Sequence, residues 1–403
     1  MPNKPNLLLI SSRVPYPVIG GDRLRLYHMA KVLASKYNVH LVCLADTQFD
    51  VEKELPNDGV FSSVERILLP KWQSWLNSLI ALLTRTPLQV AYYKSSPFYK
   101  AVIKKSLESE IIVSHLIRTS DVVSQIEGKD KVKILEMTDA ISLNYQRSSK
   151  LNIGFKRFIF WLELGRLQRY ELGAISAFDA SVLVSGVDKN YLSDLGNPTP
   201  DKVFVCSNGV DLDHFPFDYA PDGKTILFIG SMDYHPNIDA VVYFIENVFP
   251  LIRKDFPEAI FRIVGRIAEK DIAQYQLHEG VEVTGTVESV ASAAQGATVG
   301  VCPVRVGAGV QNKILEYMAL GMPTVTTTMG LEGLAAQPNQ DLFVVDDPSA
   351  MARQIVDIMK HPKLASDFSR AGRSYVETNH AWDAQFKPLL EFIDSKITQF
   401  NIT

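Results

Sequence analysis

Cys302-Pro303-Val304-Arg305-Val306-Gly307-Ala308-Gly309-Val310-Gln311-Asn312-Lys313-Ile314-Leu315-Glu316-Tyr317-Met318-Ala319 joins three kinds of local structure in one stretch. An apolar run closes at Pro303, a loop holding Gly307 and Gly309 follows, and apolar residues then return at helical spacing, which predicts a helix from about Val310. Small residues let a ligand approach the backbone, and the unpaired amides of a helix start favour an anion. Lys313 and Glu316 lie three apart and share a helical face, while Leu315, Met318 and Ala319 face a core. A diphosphate at the helix start, neutralised by Lys313 or Arg305, fits this loop, and Glu316 one turn deeper is placed to accept hydrogen bonds from a ribose diol. The plainer reading of the same spacing is an ordinary strand–loop–helix joint with a solvated Lys–Glu pair.

Outward from this stretch, short aliphatic or β-branched runs alternate with longer helical patterns, the mark of parallel sheets covered on both faces. Strands are predicted at 7–11, 39–45, 64–69, 111–114, 133–137, 180–184 and 203–206, and again at 225–229, 260–264, 281–283, 299–303, 324–327 and 342–345. Between the two series the chain loosens into Asp218-Tyr219-Ala220-Pro221-Asp222-Gly223. The expected class is α/β, with two Rossmann-like domains facing across a cleft: 1–217, 218–380, and a helix over 381–403 returning toward the first domain. In such sheets ligands bind beyond the carboxyl ends of the strands.

The 403 residues carry a net charge of −4, which argues against a general nucleic-acid binder. Cys43, Cys206 and Cys302 lie apart in apolar runs and read as buried thiols of a reducing compartment, with no zinc pattern, so a cytoplasmic setting is expected. Leu7-Leu8-Leu9-Ile10 is too short for a secretory signal and reads as the first strand, and no run is long enough to span a bilayer. The aromatic and basic stretch from Phe155 to Arg169, and Lys71-Trp72-Gln73-Ser74-Trp75-Leu76 running into residues 79–83, fit either packing on their own domain or peripheral contact with the inner face of a plasma membrane.

After the first strand comes Arg13-Val14-Pro15-Tyr16-Pro17-Val18-Ile19-Gly20-Gly21-Asp22-Arg23-Leu24-Arg25, with a helix expected from about Asp22, by type a fair N-cap. Gly20 and Gly21 allow backbone approach or make a simple glycine turn; Arg23 and Arg25 reach an acceptor phosphate or are solvated helix charges. His115 ends one strand; Asp139 follows another, where it serves an acceptor or caps the next helix. Asp211-Leu212-Asp213 is formally a D-x-D but reads as a hinge turn, and no essential metal or cofactor is expected.

The helix Lys313-Ile314-Leu315-Glu316-Tyr317-Met318-Ala319-Leu320-Gly321-Met322-Pro323-Thr324-Val325 resembles the donor-site segment of glycosyltransferase family 4, a GT-B family. Asn208-Gly209-Val210-Asp211, the segment from Phe228 to Asn237, Gly285-Thr286-Val287 and Gly330-Leu331-Glu332-Gly333-Leu334 agree in the same order. An N-terminal G-D-x-x-R and a Q-N-K-x-L-E segment resemble bacterial exopolysaccharide-type sugar transferases. The resemblance implies a retaining transfer from a nucleoside diphosphate sugar, the co-substrate, to a saccharide or lipid-linked acceptor. It implies that Gly20 and Gly21 meet the donor diphosphate, that Gly230 and Ser231 line the donor, and that Gly285 and Thr286 meet the base. Gly307, Ala308, Gly309, Val310 and Lys313 would hold the charge, Glu316 the ribose, and His115 would face the sugar. Two features depart from the family. Ala308 stands where the first of two glutamates eight apart is usual, and the loop after the first strand of the second domain has no cation. A sugar-nucleotide epimerase or a non-catalytic sugar-nucleotide binding module are the other readings. A dinucleotide oxidoreductase would want a G-x-G-x-x-G that Gly20-Gly21 does not supply.

Overall fold

Every strand runs parallel to its neighbours, so each needs a crossover, and the helices in those crossovers cover both sheet faces. The computed structural model describes residues 4–18, 20–128, 130–151, 155–306 and 309–402. One unit comprises Met1–Cys206 with Phe386–Thr403, and the other Ser207–Gln385.

The first unit holds β1 (Asn6–Ser11), β2 (Asn38–Ala45), β3 (Ser63–Leu68), β4 (Ile111–His115), β5 (Val132–Thr138), β6 (Ala180–Leu183) and β7 (Val203–Val205) in the order β3-β2-β1-β4-β5-β6-β7. Leu7 pairs with Val39 on one side and Ile111 on the other, and Leu7 through Ile10 are wholly buried, which is why β1 reads as one unbroken apolar run. The second unit holds β8 (Thr225–Ile229), β9 (Ile260–Val264), β10 (Val281–Gly285), β11 (Val299–Cys302), β12 (Thr324–Thr326) and β13 (Phe343–Val344) in the order β10-β9-β8-β11-β12-β13. All the runs expected as strands are strands. In each sheet the winding direction reverses beside the first strand, at β1/β4 and at β8/β11, so the carboxyl ends of those pairs open a crevice in each unit. Apolar side chains fill both layers, with Phe98, Val102 and Ile10 in the first core and Phe244 and Phe261, their ring centres 4.5 Å apart, in the second. The three cysteines are free and buried.

Two helix starts differ from expectation. The helix after β11 is Asn312–Ala319, beginning beyond Val310 because Gly309 is left-handed at φ +77° and Gln311 is extended. The Gly21–Ala34 helix is capped by Gly20 at φ +92°, not by Asp22, which lies inside the first turn against the helix dipole and pairs with Arg13 at 2.8 Å. Among the described residues no helix is long and apolar enough to cross a membrane.

Arg25, from that helix, is fully buried and donates to the equally buried Glu136 of β5 at 2.7 Å. Breaking a buried pair strands its other charge, so Glu136→Leu alone should destabilise the protein by about 3–5 kcal/mol in urea unfolding. Arg25→Met with Glu136→Leu should cost clearly less; equal costs would mean that the pair is not a unit.

Candidate functional site

In the second unit β8 ends at Ile229 and turns through Gly230 and Ser231. The turns beyond β8, β9 and β10 are stitched together by main chain: the Gly230 amide donates to Val264 at 2.9 Å, Met232 to Arg266 at 2.7 Å and Gly265 to Gly285 at 3.2 Å. A Cβ on Gly265 would stand 2.2 Å from the Gly230 carbonyl oxygen, so backbone meets backbone there and only glycine fits. Gly285 is buried and Thr286 exposed at the end of the neighbouring strand. The cation missing from the loop after β8 arrives from the turn after β9, where Arg266 pairs with Asp233 at 2.5 Å.

Asn237 links this turn to the helix after β11. Its Nδ2 donates to the Ser231 carbonyl at 2.9 Å and its Oδ1 accepts from Lys313 Nζ at 3.0 Å. Lys313 also donates to Gln311 Oε1 at 3.2 Å and lies 5.3 Å from the centre of the Phe228 ring. It is buried, and among the described residues no carboxylate lies within ion-pair distance of it. Its partners are neutral oxygens and a ring, so an incoming anion would meet no competing carboxylate there among the described residues. The N-cap Gln311 makes no side-chain cap bond; its carbonyl takes the Ile314 amide at 3.0 Å, and the amides of Asn312 and Lys313 have no acceptor among the described residues. Gly309 and Val310 lead into this turn; Gly307 and Ala308 lie outside the described residues.

One turn on, Glu316 is partly buried, and among the described residues no side chain donates to its carboxylate. Burial pushes this carboxyl up to about 7, against the pull of Lys313. Arg305 is engaged differently: its guanidinium makes two bonds to Asp239, at 2.7 and 3.2 Å, and stacks 4.2 Å above the Tyr243 ring. Its charge is therefore answered within the unit, which leaves Lys313 as the cation available at the turn. Asp211 accepts from the amides of Asp213 and His214, both at 3.1 Å, so the D-x-D carboxylate is occupied in its own turn. A cavity of about 280 Å³ lined by Asp213, Tyr219 and Gln295 lies at the amino-terminal edge of this sheet, away from these groups.

In the first unit Gly20 needs its positive φ, a Cβ there would touch Asp22 Oδ1 at 4.0 Å, and Gly21 opens the helix. His115 is buried at the end of β4, its Nε2 3.3 Å from Glu136 Oε2, while Nδ1 has no hydrogen-bond partner among the described residues. Burial pushes the imidazole down, against Glu136, so it is neutral; burial also works to raise Glu136, but the charge of Arg25 and the hydrogen bonds from Arg25 and Thr138 outweigh it and hold that carboxyl below its ordinary value. Asp139 is pushed up to about 7 by burial and then by the charge of Asp188. The amides that open the following helix go elsewhere, Ala140 to Asp188 at 2.9 Å and Ser142 to Glu171 at 3.2 Å, so Asp139 does not cap it. Arg25 is neither solvated nor turned to an acceptor, being spent on Glu136.

Sequence reading passed over Glu136 and Tyr317. The signal for Glu136 was a lone carboxylate inside the apolar run Ile134-Leu135-Glu136-Met137, which burial obliges to find a cation. The signal for Tyr317 was Gly300 in mid-strand: a Cβ there would stand 2.4 Å from the Tyr317 ring.

Residues 223–361 match the family model described as Glycosyl transferases group 1. An uncharacterized 44.6 kDa protein in a cps region of Klebsiella pneumoniae is 20% identical over 385 residues, 93% of this chain and 96% of that one. Among solved structures, HepE of Anabaena in complex with UDP-glucose superposes with a TM-score of 0.67 at 13% identity, covering 96% of this chain and 99% of that one. Sucrose-phosphate synthase from Thermosynechococcus elongatus gives 0.73 at 13% identity, over 98% and 100%. These near full-length likenesses show that the chain has the GT-B class of fold, with two Rossmann-like domains.

Gly300→Ala should drive the new methyl into the Tyr317 ring and cost about 1–3 kcal/mol in a thermal or urea melt. Glu316 holds its proton more tightly folded than unfolded, so it favours the fold below its ordinary 4.5 and loses that contribution as pH rises through about 7. The melting temperature of Glu316→Gln relative to the unaltered chain should therefore climb across that window; a flat difference would mean that the carboxyl titrates normally.

Proposed function

We propose that this chain is a retaining glycosyltransferase that moves a sugar, of the hexosyl type, from a nucleoside diphosphate sugar to a saccharide or lipid-linked saccharide. The observation that carries the reading is Lys313, buried with no carboxylate in ion-pair distance among the described residues, beside the Asn312 and Lys313 amides that open the helix after β11. Phosphate charge is what such a place accepts. The match of residues 223–361 to a glycosyltransferase family and the UDP-glucose complex of HepE support this reading, and the relative from a cps region supports a polysaccharide setting. Three unpaired thiols suit work on the cytoplasmic side.

In this reading, bond breaking at the anomeric carbon leaves negative charge on the departing diphosphate. Lys313 and the amides from Gly309 through the first helical turn stabilise it, already in place before the reaction. Gly230 and Ser231 border the donor. Ionised Glu316 accepts from the ribose hydroxyls, and Gly285 with Thr286 borders the base. Neutral His115 presents Nδ1 toward the sugar, and Asp139, titrating near 7, is suited to take the proton of an acceptor hydroxyl. Arg305, braced on Asp239, borders the loop as a hydrogen-bonding group whose charge is already paired. With these groups answering the diphosphate charge, transfer needs no metal.

The test is a thermal-shift panel of nucleoside diphosphates and their sugars, with NAD(H) alongside. One nucleoside diphosphate at about a hundred times its Kd should stabilise the protein by about 2.7 kcal/mol. Lys313→Ala and Glu316→Ala should each remove most of that shift while keeping a cooperative melt. Stabilisation by NAD(H) in place of a nucleoside diphosphate would overturn the reading.

A further inference from the structure

The helix Lys71–Ala81 is built inside out. Trp72, Trp75, Leu76, Leu79, Ile80 and, just past its end, Leu83 recur at the spacing that marks one face of a helix, a pattern that ordinarily faces a core. Here that face is turned to solvent: Trp72 is 68% exposed, Trp75 69% and Leu83 92%. The side that meets the protein is small and polar. Ser74 and Ala81 are its buried residues, and Asn77 donates to the Lys94 carbonyl at 2.8 Å. Arg166 fastens the far end by donating to the Leu82 carbonyl at 3.1 Å, and the helix that carries it, Phe155–Ala177, exposes Trp161 and Leu162 just before it. Three of the chain's four tryptophans thus stand about two-thirds exposed in these two helices. Contiguous apolar surface of this kind marks a binding face.

Charge says what binds there. From Arg66 to Leu107 the sequence has seven cations and no carboxylate; Lys94 and Lys105 are paired with Asp121 and Glu108, while Lys71 and Arg85 stand exposed. This is so in a chain whose net charge is −4. A second copy of the chain docking through the same face would set Lys71 and Arg85 against their own kind, since a two-fold contact brings like surface to like. An anionic lipid surface satisfies both features: indoles and aliphatic side chains enter the interface while Lys71 and Arg85, at the two ends of the stripe, meet headgroup phosphates. Position agrees. The helix follows the carboxyl end of β3, the edge of the sheet at which His115 and Asp139 lie. An aromatic chain leads from Trp75 to Tyr92 at 6.5 Å and Tyr93 at 5.0 Å, and the Arg118 guanidinium lies 5.5 Å from the Tyr93 ring.

From these observations we infer that the exposed face of the Lys71–Ala81 helix, with Trp161 and Leu162, seats the first unit on an anionic membrane surface. This deepens the reading of a lipid-linked acceptor without depending on it.

The full-length chain should co-sediment with vesicles containing phosphatidylglycerol, with its tryptophan emission shifted to the blue, and should bind phosphatidylcholine vesicles far more weakly. Raising the salt concentration should release it. Lys71→Glu with Arg85→Glu should weaken binding at least about tenfold. Trp72→Ala with Trp75→Ala should abolish most of the blue shift; because these side chains are exposed, both variants should melt like the unaltered protein. Binding to neither lipid, equal binding to both, or self-association in solution that the tryptophan variant abolishes would each overturn the inference. The nucleoside diphosphate shift, measured without lipid, reports on the sugar-transfer reading alone.

Discussion

The Tyr317 hydroxyl accepts the amide hydrogen of Ile229 at 2.8 Å and donates to the Val301 carbonyl at 3.2 Å. One phenol therefore joins the ends of β8 and β11 to the helix that leaves β11, while its ring lies over Gly300. A buried hydroxyl without partners would be costly, so its two bonds also fix how the helix is turned about its axis. That setting sends Ile314, Leu315 and Met318 into the core, brings Lys313 to Asn237 and Phe228, and leaves Glu316 with no donor among the described side chains. The candidate donor site is a consequence of how this helix is seated.

The two units bury charge in opposite ways. In the first, Arg25, Glu136 and His115 form a closed group, and Thr138 donates to the same carboxylate through its amide at 3.0 Å and its hydroxyl at 3.1 Å. Such a group balances its charge within the fold, and it leaves both imidazole nitrogens without a hydrogen-bond partner among the described residues. In the second unit, Lys313 is buried among neutral partners, with no acid paired to it among the described residues, where two strands diverge. A balanced buried cluster holds elements together, whereas an unbalanced one at a crevice is prepared for a ligand of the opposite sign.

One periodicity carries two meanings in this molecule. In the helix Asn312–Ala319 the apolar face packs on the sheet, and in Lys71–Ala81 a similar spacing faces water. The pattern states that one side of a helix is apolar. It does not say which surface will cover that side.

Much of the architecture was legible from local chemistry. Aliphatic runs such as Leu7–Ile10 have no polar residue to show to water, so they marked strands covered on both faces, and topology alone then put Gly230, Gly285 and the loop after β11 at one edge. The resemblance of the Lys313–Glu316 helix to a known family pointed at the donor loop before any geometry did. Two helix starts were misplaced, at Val310 and Asp22, because a left-handed glycine moves a boundary that residue type alone does not reveal. What the amino-acid order determined by itself was the sequence of strands and helices and the loops that carry polar groups, since periodicity and turn chemistry act over a few residues. Only the tertiary structure decided which charges are spent and which are free: Arg305 meets Asp239 across 66 positions and Arg25 meets Glu136 across 111, while Lys313 meets no acid within reach among the described residues. Such pairings form where the chain returns on itself in space, and nothing in the neighbouring residues encodes that return.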